Sequence, residues 1–178
     1  MNAPLAPLRH PRLPLVRVAR ARAAMLPSAW MPRVEAIAAA AGEGVCAQRG
    51  ARLDVFLPDP VRDRAFVHAV RDALGHDVEL GALTVRRGDG PFGVRPLMRY
   101  RARALLRLGG ALRGELHRHR VDVDAFDVTL HGVHARGRAP LDALLALDGW
   151  IASRADGDAE LAMRLDAWEP HGPGPRAA

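Results

Sequence analysis

Helical spacing and alternation divide the chain into short elements between residues 32 and 170. Val34, Ile37, Ala38 and Ala41 recur at i, i+3, i+4 and i+7 behind Pro32, with Gly42 after them, so the pattern predicts a helix over 32–41. Residues 45–48 and 52–57 flank Arg49-Gly50 and read as a hairpin. Leu53, Val55 and Leu57 take one face of its second strand, and Phe56 on the other implies cover on both sides. Asp59-Pro60 opens the strongest helix, with Val61, Ala65, Phe66, Val70, Ala73 and Leu74 as its stripe and Gly75 as its stop. A strand over 78–85 and a polar turn over 86–91 follow.

From Met98 to Leu116 two periods compete. Met98, Tyr100, Ala102, Ala104, Leu106 and Leu108 alternate with Arg99, Arg101, Arg103 and Arg107, while Met98, Ala102, Leu105, Gly109, Leu112 and Leu116 fit a helical stripe. The strand is preferred, because Gly109-Gly110 would cost a continuous helix roughly 2 kcal/mol. A three-residue turn then returns a second strand that sets Leu112, Gly114 and Leu116 against Leu108, Leu106 and Ala104. On that reading Arg101, Arg103, Glu115, His117 and His119 share the polar face. Phe126, Val128 and Leu130 make a further strand, 140–147 a short helix ending near Asp148-Gly149, and 159–168 fits either a helix or a strand.

The expected fold class is α+β: a single domain with a mostly antiparallel sheet of about five to six strands and two to four helices. Pro4, Pro7, Pro11, Pro14 and Pro27 mark residues 1–31 as an irregular arm with at most a short helix over 16–26. Residues 32–170 are the body, and 171–178 a frayed tail. No internal repeat is evident.

Charge changes this picture. Arg9, Arg12, Arg17, Arg20, Arg22 and Arg33 precede the first acid, Glu35, and account for the whole formal charge of +6. A block of one sign faces an anionic surface or stays solvated. All 26 basic residues are arginine, which fits a bacterial genome of strong GC bias and discounts each arginine taken singly. Cys46 is the lone cysteine, so a reducing, cytoplasmic setting is expected. No apolar run approaches a membrane span or a secretory signal.

Candidate chemistry is sparse. His117, His119, His131 and His134 are the densest metal-ligating group, but their spacing lacks a zinc ligand-pair form and arginines crowd them, so no metal is expected. An enzyme using these histidines with Glu115 as acid or base is the alternative. Ser28 and Ser153 sit in no nucleophile elbow, Cys46 reads as a packed thiol, and Gly88–Gly93 matches no phosphate loop, so no cofactor is expected. Arg9, Arg12, Arg17, Arg20 and Arg22 in the arm, with Arg99, Arg101 and Arg103 on the strand, are the candidate partner-binding residues. The expected partner is an anionic macromolecule or an acidic protein. Nucleic acid is less favoured because only Tyr100 could stack nearby, and it alternates to the opposite face.

Two resemblances are local. Gly132-Val133-His134-Ala135-Arg136 resembles the phosphoacceptor motif of the phosphocarrier protein of the sugar phosphotransferase system. That likeness implies phosphorylation of His134 and phosphoryl binding by Arg136. The match ends there, with Gly137-Arg138 where that family has a small or proline pair. Phe126–Leu130 followed by Ala139–Gly149 is similar to the switch-ring domain of flagellar and type III secretion motors, which implies a self-associating scaffold subunit as a further alternative. The leading expectation is a non-enzymatic accessory or binding protein.

Overall fold

The computed structural model describes residues 13–22, 25–41, 43–86, 94–154 and 157–170. The fold is α+β, with four helices and two antiparallel sheets among the described residues. The chain separates into two compact units, Met1–Thr84 and Val85–Ala178, a boundary that falls inside the stretch read as one body.

The first unit runs β1 (Leu15–Ala21), α1 (Pro27–Ala40), β2 (Val45–Arg49), β3 (Arg52–Leu57), α2 (Pro60–Leu74) and β4 (Val78–Leu80), with a two-residue β5 (Thr84–Val85) also pairing β1. The sheet order is β2-β3-β1-β4, which is the split βαβ, or ferredoxin-like, arrangement. The expected hairpin and the Asp59 cap are both present, and the Asp59 side chain accepts from the Arg62 backbone N–H at 2.9 Å. Val61, Ala65 and Ala73, placed in the α2 stripe by spacing, are exposed, while Asp63 occupies a buried position there with Phe66, Val70 and Leu74.

The irregular-arm reading is corrected. Leu15–Ala21 is an inner strand between β3 and β4, with Leu13, Leu15 and Ala19 buried. Its alternation was hidden because Arg17 takes the helix-facing position between Leu15 and Ala19, held there by Asp63 of α2. α1 begins at Pro27 rather than Pro32, because Trp30 and Met31 extend the buried stripe by a turn. Pro32 then lies inside the helix and forgoes one hydrogen bond.

The second unit runs β6 (Val94–Ala104), α3 (Gly109–Arg118), β7 (Asp122–Thr129), β8 (Gly132–Pro140), α4 (Leu141–Arg154) and β9 (Ala159–Pro170). Its sheet order is β7-β8-β6-β9, so it repeats the βαββαβ order of the first unit without a sequence repeat to announce it. The strand expected over 98–108 ends at Ala104, and a short 3-10 turn over Leu106–Leu108 leads into α3. The returning strand over 112–116 is therefore replaced by a helix that buries Leu112, Glu115 and Leu116. Gly109 opens this helix instead of turning a hairpin. A Cβ there would lie 2.9 Å from Val133 Cγ1, so glycine lets the helix start press against β8.

α4 passes through Gly149 because Ile151 continues the buried stripe of Leu141, Leu144 and Leu147. Residues 159–170 resolve as strand β9, paired with β6 along its length. The Gly132–Arg136 string lies within β8 itself, so His134 is a mid-sheet residue. No helix among the described residues is long and apolar enough to cross a membrane.

Candidate anion-binding face of the second sheet

Alternation along β6 and β8 sends two sets of side chains to opposite faces. Met98, Tyr100, Ala102, Val133, Ala135 and Ala139 are buried on the helix-covered side, and Arg99, Arg101, Arg103, His134, Arg136 and Arg138 are exposed on the other. Register arranges the exposed side chains in three cross-strand rows. One row reads Asp127, His134, Arg103, Glu160 from β7 to β9. The next reads Ala125, Arg136, Arg101, Ala162, and the third Asp122, Arg138, Arg99, Arg164.

The outer rows carry their own acids. In the third row, a bulge in β9 opposite Leu97/Met98 adds Asp166. One carboxylate oxygen of Asp166 lies 3.2 Å from Arg99 Nη2, and the other 3.2 Å from Arg138 Nε. The middle row has no acid: Arg101 stands directly opposite Arg136, with alanine on either flank. Like charges directly opposite each other destabilise a sheet. Neither arginine has an ion pair or side-chain hydrogen bond among the described residues, whereas Arg99 and Arg138 share Asp166. Beside Arg101, a shallow depression of about 410 Å³ is lined by Arg99, Tyr100, Ala162, Met163 and Arg164.

Of the candidate partner-binding residues, Arg99, Arg101 and Arg103 thus lie together on this face. Arg9 and Arg12 lie outside the described residues. Arg17 is removed from the candidates, because it is part of the first unit's interior: its side chain is 15% exposed and pairs with Asp63 at 2.7 Å. Arg20 is exposed opposite Arg52 and Glu79, and Arg22 follows β1 with its backbone N–H donated to Asp77. Arg136, Arg138 and Arg164 were missed. The signal was present in Val133, Ala135, Gly137 and Ala139 alternating with His134, Arg136 and Arg138, but glycine and alanine at the inward positions give that alternation little hydrophobic contrast.

The histidines do not assemble. His117 and His119 sit at the C-terminal end of α3, and His119 Nε2 lies 3.5 Å from Glu115. His117 lines a cleft of about 530 Å³ between α3 and β7 with Arg113, Asp124 and Phe126. His131 belongs to the β7–β8 turn, and His134 faces Asp127 and Arg103 across its strand. Among the described residues no three His, Cys, Asp or Glu side chains gather to hold a metal. The expected shared face of Arg101, Arg103, Glu115, His117 and His119 is corrected accordingly, since Glu115 and His117 are helical and His119 caps the same helix.

Two groups have displaced acidities. Burial, and then the Glu35 carboxylate, pushes the half-buried Cys46 thiol up from 9.0 to about 12. Burial, followed by Asp124 and Asp122, pushes the Tyr100 phenol up from 10.0 to about 12, and its hydroxyl donates to Asp122 O at 3.3 Å. Both groups stay protonated in the fold at a pH where the unfolded chain ionises. Their stabilising contribution is therefore complete below about pH 9 and is lost as pH rises towards 12. Tyr100→Phe is expected to flatten the fall in stability between pH 10 and 12, read by urea denaturation across that range. An unchanged alkaline limb would contradict it.

No family model and no curated protein matches the chain. Among solved structures it is similar to ttk003000868 from Thermus thermophilus, with a TM-score of 0.59 and 7% identity. The match covers 90% of this chain and 41% of that one, so the chain spans less than half of that protein's length. At that identity the likeness is one of fold alone.

Proposed function

We propose that this is a non-enzymatic accessory protein that engages an anionic partner through the open face of its second sheet. The observation that supports the reading is the middle row, where Arg101 and Arg136 oppose each other without an acid. An uncompensated like-charge pair costs stability, and a bound anion offsets that cost. The three rows carry six arginines against four carboxylates, so they retain net positive charge after internal pairing. The arginine-only composition and the lone Cys46 support a bacterial, cytoplasmic setting.

Aromatic stacking is not part of this proposal. Tyr100 is 1% exposed on the covered side, and none of the open-face positions in these rows is aromatic. Binding of fluorescent polyglutamate at about 50 and about 200 mM salt tests the reading, since screening weakens charge-driven association. We expect Arg101→Ala with Arg136→Ala to lower affinity about tenfold or more at the lower salt. Equal retention by the double variant would overturn the proposal.

A further inference from the structure

We propose that Arg101 and Arg136 form a slot for one phosphate monoester group. The inference rests on the anionic-partner reading and makes it chemically specific. The third row supplies an internal precedent: Arg99 and Arg138 also stand directly opposite each other on β6 and β8, and Asp166 bridges them with one oxygen to each guanidinium. Arg101 and Arg136 are the next such pair, two residues along both strands, and lack the bridging acid. An external anion with at least two free oxygens completes this row as Asp166 completes its neighbour.

Charge selects among such anions. The excess in the three rows is two positive charges, and neither arginine of the middle row pairs with an acid among the described residues. A carboxylate or phosphodiester supplies one negative charge, whereas a phosphate monoester carries about 1.5 to 2 at neutral pH and three acceptor oxygens. Guanidinium forks match these oxygens in geometry as well as charge. Ala125 and Ala162 on the flanks leave the approach unobstructed by long side chains, and the depression beside Arg101 gives the ester's organic substituent room next to Ala162 and Met163.

The test is calorimetric titration of the full chain at low salt with phenyl phosphate, dimethyl phosphate and acetate. Phenyl phosphate is expected to bind with one-to-one stoichiometry and several-fold more tightly than the two monoanions. Arg101→Ala and Arg136→Ala should each weaken it about tenfold. Ala162→Glu places a carboxylate opposite Arg101, so it should abolish phenyl phosphate binding while raising the melting temperature. This variant keeps the test informative if either arginine variant folds poorly.

Equal affinity for acetate and phenyl phosphate would overturn the slot, as would unaltered phenyl phosphate binding in Ala162→Glu. If polyglutamate binds in an Arg101- and Arg136-dependent way but phenyl phosphate does not bind, the slot falls and the anionic-partner reading stands. Loss of both signals in the parent chain removes both. A 5′-phosphorylated nucleoside and a phosphoserine peptide, titrated in parallel, distinguish the source of the phosphate.

Discussion

Asp63→Ala is expected to cost the first unit about 3–5 kcal/mol, the range for breaking a buried ion pair on one side only. Asp63 and Arg17 have side-chain exposures of 6% and 15%. Arg17 Nε and Nη2 each reach a different carboxylate oxygen at 2.7 Å, and Nη1 donates to the Gly81 carbonyl. Removing the carboxylate leaves a charged guanidinium under α2 without a counter-charge, and that desolvation penalty is the main loss. Arg17→Met combined with Asp63→Leu should recover most of it, because an apolar pair of similar volume carries no such penalty. Amide hydrogen exchange reports the result: β1 and β3 should lose protection in Asp63→Ala and regain it in the double variant. A loss below about 1 kcal/mol, the range of solvent-exposed pairs, would show that the pair is effectively solvated.

Gly137→Ala is expected to disrupt the pairing of β7 with β8. A Cβ at Gly137 would lie 2.0 Å from the Asp122 carbonyl oxygen and 3.1 Å from the Asp124 backbone nitrogen, so the clash is with backbone on the neighbouring strand. β7 carries an irregularity at this point, between Val123 and Ala125, and the glycine is the space into which that bulge folds. Overpacking a rigid contact costs typically about 1–3 kcal/mol, and here no flexible side chain can yield. Loss of protection along 122–129, with β1–β3 unchanged, is the expected exchange pattern. Undiminished protection there would mean that β7 shifts without cost.

These two sites also show what the sequence conceals. Where enough buried residues were apolar and regularly spaced, as with Leu53, Val55 and Leu57 in β3, Phe66, Val70 and Leu74 in α2 and the Leu141–Leu147 stripe, pattern led directly to element even though Asp54 and Asp63 are also buried there. Where a charged residue took a core position, as Arg17 does in β1, periodicity was broken by the very residue that tertiary pairing accommodates. Glycine misled in a different way. Gly109 reads as a turn signal and Gly137 was assigned to no element, yet each is a point of close backbone or side-chain approach within regular structure. The candidate face was half legible: β6 declared its arginines by alternation, while the partners on β8 and β9 needed a register that spans residues 94 to 170.

That register has a consequence for synthesis. β6 is an inner strand whose two neighbours, β8 and β9, emerge from the ribosome long after it does, whereas the first sheet has all its strands once Val85 has emerged. Until β9 arrives, an eleven-residue strand of high alternation lies with an unsatisfied edge. Bare edges of this kind template pairing with other nascent chains. Arg99, Arg101 and Arg103 repel a second copy of the same strand, so the arginines that line the open face of the finished sheet also disfavour pairing between copies while that edge is bare.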